Sequence, residues 1–343
     1  MQLEQFRPKS QLVTKSTIIK KPRYPVVDVH NHLGADFGGG WIHRPVSELI
    51  DVLDQAGVKM YVDLDGGWGE EILADHLKVL SQYPRRFQVF GGVDWSKWKT
   101  MGADFPGWAA QRLRVQARIG AKGLKIWKNF GLSVCDQNDE LVKVDDKRLK
   151  PIWATAAELK LPVMIHVADP AAFFEPLDET NERWEELGAN PAWHFPSPDY
   201  PPFSEIMEQF GNLIRHNPHT IILGAHVGCY AENLGWVAHL IEDCPNFYVD
   251  ISARIGELGR QPYTARQFFI DHCDRILFGS DFGPDLEAYR LAYRFLETDD
   301  EYFNYNTSDV PQQGRWYIYG IHLPDEVLRK IYSTNAEKVL KLS

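Results

Sequence analysis

Paired cysteines are missing from this 343-residue sequence. Its four thiols, Cys135, Cys229, Cys244 and Cys273, stand apart with no Cys-x-x-Cys, which excludes a zinc knuckle and a dithiol redox motif. Reduced, mostly buried thiols are the expectation. A basic excess is missing too: 37 Lys and Arg stand against 47 Asp and Glu, a net charge of −10. That sign opposes gripping a phosphate backbone, so no nucleic-acid partner is expected. No run is long and apolar enough to span a bilayer, so no membrane partner is expected either. The opening MQLEQFRPKSQLVTKSTIIKKPRYP lacks the apolar core of a secretion signal, which makes the cytoplasm the expected location. A chain that had shed a leader would read the same. No Gly-x-Gly-x-x-Gly turn follows the first strand candidate, which disfavours an open doubly wound sheet.

What is present is globular: 44% hydrophobic and 24% charged residues leave ample material for a core. Short β-branched runs alternate with amphipathic segments, the signature of parallel strands joined by helices. The strand candidates end at His30, Leu64, Val93, Trp127, Val167, Val227, Ser252 and Asp281. Between them, segments such as VSELIDVLDQAG and EILADHLKVLSQYP repeat apolar residues at three and four, and Gly57, Pro84 and Pro162 punctuate them. Eight such units predict an α/β chain folded as one (β/α)8 TIM barrel over residues 24–343, after an N-terminal arm over 1–23. Two long insertions interrupt the rhythm, Pro170 to Tyr200 after the fifth strand and Glu297 to Arg315 after the eighth. Loops of that length are functional or mobile.

Residues two apart on a strand share a face, so VDVHNH sets His30 beside His32 where the first strand ends. That is a two-point metal grip, or a surface or capping pair if nothing else joins it. His166, His226 and Asp281 close the fifth, sixth and eighth strands, where a barrel turns its strand tips toward the catalytic mouth. Imidazole with carboxylate suits zinc, with manganese or iron(II) as alternatives. A buried Asp281 without a cation or donor would carry a heavy desolvation cost, which coordination removes.

Through VVDVHNH, PVMIHVADP, ILGAHVG, ILFGSDFG and the closing YSTNAEKVLKL, the chain resembles the amidohydrolase superfamily over roughly Pro25 to Leu342. The resemblance is to the amidohydrolase-related branch that includes aminocarboxymuconate-semialdehyde decarboxylase and several lactonases. It implies that His30, His32, His166 and Asp281 ligate one divalent ion, that Asp281 also handles protons, and that His226 polarises substrate or supports the ligands. Hydrolysis of a small ester, lactone or amide by activated water follows, with Asp281 as proton acceptor and His226 donating to the carbonyl oxygen. Decarboxylation at the same site is the alternative, and a catalytically silent binding barrel is the alternative from another class. The partners expected are a small-molecule substrate and a second copy of the chain, packed as a dimer through helical faces.

Lys125 ends the fourth strand, where binuclear relatives carry a carboxylated lysine. A single ion is expected here, with Lys125, Trp127 and Lys128 read as substrate contacts. Arg254 after the seventh strand reads as a grip on a substrate carboxylate, or as the partner of Asp250. Trp41, Trp68, Trp95, Trp98, Trp127 and Trp193 wall a pocket or pack the loops on one another. In the fifth loop, Asp169, Asn181 and Arg183 are expected to brace the loop. His43 stays a candidate by its nearness to the first strand. The other histidines read as structural or exposed, and the Gly38, Gly39, Gly40 run as a flexible loop rather than a phosphate cradle.

Overall fold

Each of the eight strand candidates forms a strand in the computed structural model, which describes residues 5, 6, 8–35 and 39–342. They are β1 (Val26–Asn31), β2 (Val58–Asp63), β3 (Phe87–Val89), β4 (Leu124–Ile126), β5 (Val163–Ile165), β6 (Ile222–Gly224), β7 (Phe247–Asp250) and β8 (Ile276–Leu277). The crossover helices are α1 (Val46–Ala56), α2 (Glu70–Leu80), α3 (Phe105–Ile119), α4 (Lys150–Leu159), α5 (Phe203–His216), α6 (Leu234–Asp243), α7 (Pro262–Asp271) and α8 (Leu286–Glu297). Strands pair in parallel in the order β1-β2-β3 and β4-β5-β6-β7-β8. Two seams close the ring. Gly91 bridges Leu124 between β3 and β4, and Val29 N–H donates to Phe278 O at 3.0 Å between β1 and β8. The chain is a (β/α)8 barrel.

Alternation sorts the core. Val27, Val29, Val62, Leu64, Met164, Leu223, Tyr248 and Leu277 form an inner cluster with Ala336, Val339 and Leu340 of the last helix. Val26, Tyr61, Leu124, Ile126, Val163, Ile165 and Ile276 belong to the outer cluster under the helices. Asn335, from the closing motif, donates to the Ile276 carbonyl at 2.7 Å and ties that last helix to β8.

The β3 strand is shorter than its sequence suggests, and the reason is local. Past Val89 the amide of Gln116 takes over: its Oε1 accepts from Gly92 N at 3.2 Å and its Nε2 donates to Gly92 O at 3.0 Å. A methyl on Gly91 would overlap that Oε1. Gly91→Ala is therefore expected to cost about 1–3 kcal/mol in a denaturant melt, through displacement of Gln116 and loosening of this seam.

The described part of the first 23 residues runs along the outside of the barrel. Thr17 Oγ1 lies 2.7 Å from Asp300 Oδ1, Lys15 pairs with Asp299, and Arg23 N donates to Glu297 at 2.9 Å. The two insertions meet over the mouth, where Arg315 pairs with Glu185 at 2.5 Å and Arg183 Nη1 reaches Gln313 O at 3.4 Å. Of the glycine run, Gly38 lies outside the described residues. No helix among the described residues is long and apolar enough to cross a membrane.

Candidate metal centre

The strand tips of β1, β5, β6, β7 and β8 converge on one cavity of about 370 Å³ whose lining includes His30, His32, His166, His226, Arg254 and Asp281. Chain direction at these tips is unusual. His226 (φ 56°), Val227 (φ 59°), Ala253 (φ 52°) and Asp281 (φ 58°) all occupy the left-handed region without being glycine. Each costs roughly 1–2 kcal/mol, so the surrounding bonds must impose the conformation. One of them is visible: Asp281 N–H donates to His30 O at 2.9 Å, which fastens the β8 tip across the seam to β1.

Three imidazoles have their Nδ1 occupied. His30 Nδ1–H donates to Asp250 Oδ2 at 3.0 Å, His32 Nδ1–H to Asp65 Oδ1 at 2.7 Å, and His226 Nδ1–H to the Ser252 carbonyl at 3.0 Å. The partners fix the tautomers, leaving Nε2 of His30 and His226 as lone pairs. All three Nε2 atoms surround Asp281, at 3.8 Å (His30), 3.3 Å (His32) and 3.8 Å (His226). Donor atoms of His30, His226 and Asp281 lie within 4.8 Å of one another. Bonds of about 2.0–2.2 Å to a tetrahedral ion set donors roughly 3.3–3.6 Å apart, so this donor set fits a divalent cation after small adjustments.

Burial holds the His226 imidazole well below its ordinary range and lowers His30 as well, helped by Lys125. Burial alone would raise Asp281, but His30, His32 and His226 outweigh it and keep it ionised. His32 goes the other way. Burial would lower it, yet hydrogen bonds to Asp281 and Asp65 push it up to about 9. A cation held by His32 Nε2 would have to displace that proton. Metal affinity measured by calorimetry is thus expected to weaken about tenfold for each pH unit below about 9 and to level off above it.

Two residues missed in the sequence hold these imidazoles. Asp250 accepts from His30 Nδ1, from Ser252 N at 2.9 Å, from the Ser252 hydroxyl and from His226 N at 3.2 Å. Burial would raise its carboxyl, and these donors hold it below the usual range. Asp65, two residues past β2, does for His32 what Asp250 does for His30. Asp250 stood in the sequence only as a partner for Arg254, and the structure gives it to His30 instead. Spacing carried no signal for either carboxylate, since each meets its histidine only when the barrel brings their strand ends together.

Other expectations need correction. His166 does not aim at the cluster through Nε2, which lies 3.2 Å from Asp169 Oδ1; a carboxylate there demands the N–H. Burial lowers His166 to about 4, so it is neutral. Asp169 is not a loop brace: it receives Lys128 at 2.5 Å as well as His166 and lines the cavity. Donation by His226 to a carbonyl oxygen is not available either, because its one proton is on Nδ1. Lys125 is not in the cavity wall. Alternation turns it into the barrel interior, 99% buried, with Nζ 3.2 Å from His30 Nε2 and its pKa lowered by burial. Trp127, Lys128, Trp193 and Arg254 do line the cavity. Trp95 and Trp98 pack instead in the core against Phe130 and Phe105. Asn181 does brace the fifth loop, donating to the Ala172 and Pro176 carbonyls.

Comparison with known proteins adds the following. The family model described as "Amidohydrolase" matches residues 27–342. No curated protein matches the sequence. Among solved structures, an uncharacterised TIM-barrel protein from Bordetella bronchiseptica superposes with TM-score 0.56 at 14% identity, covering 92% of this chain and 98% of its own. The 2,6-dihydroxybenzoate decarboxylase from Rhizobium gives TM-score 0.56 at 16% identity, covering 93% and 99%. A dihydroxybenzoic acid decarboxylase from Polaromonas sp. JS666, with bound manganese and 2-nitroresorcinol, gives 0.54 at 16%, covering 93% and 97%.

Proposed function

The chain belongs to the amidohydrolase family, and from that premise we propose that it is a metal-dependent hydrolase of a small ester, lactone or amide that carries a carboxylate. One observation carries the reading: an ionised Asp281 set among three imidazoles whose Nδ1 atoms are already engaged. His30, His32, His226 and Asp281 would hold a single divalent ion, zinc by the character of these donors, with manganese and iron(II) to be tried. His166 joins them only if its Nε2 exchanges Asp169 for the ion, leaving Asp169 paired with Lys128. A bound cation supplies Lewis acidity, which acidifies water and polarises a carbonyl.

The chain's own part is proton handling and orientation. Asp281 takes a proton from the attacking water as the oxygen–carbon bond forms. It returns that proton to the leaving group as the scissile bond breaks. His226 keeps its Nε2 lone pair toward the same point and cannot compete as an acid. The Arg254 guanidinium, on a residue 95% buried in the cavity wall, makes among the described residues one hydrogen bond, to the Ala253 carbonyl at 2.9 Å. No carboxylate of the protein pairs with it among those residues, so its fork suits a substrate carboxylate.

Arg254 also favours a second reading, decarboxylation, since the carboxylate it holds would lie beside the reacting centre. Incubating metal-loaded protein with lactone, amide and aryl-carboxylate panels in ¹⁸O-water separates the two. Hydrolysis labels the product carboxylate, whereas decarboxylation releases carbon dioxide without label in the other product. No turnover of any member would defeat both. For whichever substrate reacts, Arg254→Ala is expected to raise KM about 100-fold with a smaller change in kcat.

A further inference from the structure

Beside the metal cavity lies a larger one, about 1040 Å³, between the loops that follow β1, β2 and β4 and the outer face of α2. The two share Trp127 and Lys128 as walls. A file of rings runs from one into the other: His32 to Trp127 at 4.8 Å between centroids, then Trp127 to Trp68 at 6.2 Å. The small cavity holds the imidazoles, Asp281 and Arg254, whereas Ile42, Trp68, Ile72 and Val79 form an apolar stretch of the large one, whose lining also includes Asp65, Asp75 and Lys78.

Its rim is built rather than incidental. Gly67 sits at φ +70°, and a side chain there would press on Ile72 at 2.8 Å, so the glycine lets the β2 loop close down on α2. The result leaves Trp68 and Ile72 each 44% exposed on the same cleft. Apolar surface left open against a charged reaction cavity is what a ligand with two chemically different ends requires.

We propose that this cleft is a subsite for an alkyl or aryl group of the substrate, roughly six to ten carbons long, whose polar end reacts at the His30–His226–Asp281 cluster. The proposal rests on the metal reading of that cluster. It selects a substrate over a protein partner because the cleft adjoins the reaction cavity, the two sharing Trp127 and Lys128 in their linings.

Hydroxamic acids test both claims separately, since the head chelates a divalent ion and the tail is free to vary. Acetohydroxamic and octanohydroxamic acids are titrated by calorimetry into the full chain loaded with zinc or manganese, and into Trp68→Ala and Ile72→Asp. The eight-carbon compound is expected to bind at least about thirty-fold tighter than the two-carbon one in the wild type. Within each variant that ratio should fall to about threefold, with the circular-dichroism spectrum retained. A wild-type ratio near one, with acetohydroxamate bound, would overturn the subsite and leave the metal reading standing. A ratio that persists in both variants sends the tail elsewhere and likewise overturns it. Failure of the protein to take up metal, or of loaded protein to bind either head group, would remove the metal reading and the subsite together.

Discussion

Asp281→Asn is expected to lower kcat by about 10³-fold while the protein remains folded. General acid–base groups contribute about 10²–10⁴ in rate, and Asp281 is placed to act twice, once on water and once on the leaving group. The amide keeps the shape and one oxygen but cannot take a proton. It also removes the negative charge that faces three imidazoles, so His32 should lose its proton at lower pH than in the wild type. The variant therefore carries two readouts, turnover at saturating metal and the pH at which metal affinity levels off. Turnover within about tenfold of wild type would show that another group accepts the proton.

Asp250→Ala is expected to weaken metal affinity by about 10–100-fold and to reduce unfolding free energy by about 3 kcal/mol. The carboxylate gathers His30 Nδ1, the Ser252 amide and hydroxyl and the His226 amide at one fully buried point. Its loss leaves several donors without an acceptor and frees the His30 ring to turn. Gly279 lets the two residues come together, since a methyl there would stand only 3.0 Å from His30 Cβ and 3.2 Å from Asp250 Cβ. Metal affinity is measured by competition with a chromophoric chelator, stability by urea titration of the metal-free chain. A variant that binds metal as tightly as wild type would reduce Asp250 to a packing role.

Much of the barrel was legible in the chain because its rules are short-range. Period-two runs such as VVDVH and period-3.6 segments such as VSELIDVLDQAG report their own local structure, and eight of each in alternation permit few topologies. The histidines and Asp281 were legible for the same reason, since each follows a strand candidate directly. Asp65 and Asp250 were not. Asp250 is 220 residues from His30, and nothing in NFYVDIS distinguishes a ligand-orienting carboxylate from a strand-end acid. Lys125 lies one residue short of the strand's last position, so its side chain enters the barrel interior and meets His30 from below the cavity rather than lining its wall.

By itself the sequence determined the order of the strands, the residue types at their tips and the sign of the surface charge. The first two depend on neighbours within a few residues, and the last on composition alone. Only the tertiary structure decided which nitrogen of each imidazole is engaged, that His166 turns to Asp169, and that Trp127 stands between a charged cavity and an apolar cleft. Hydrogen bonds are directional and short. Which pair forms is settled only when closure of the ring brings distant strand ends within about 3 Å.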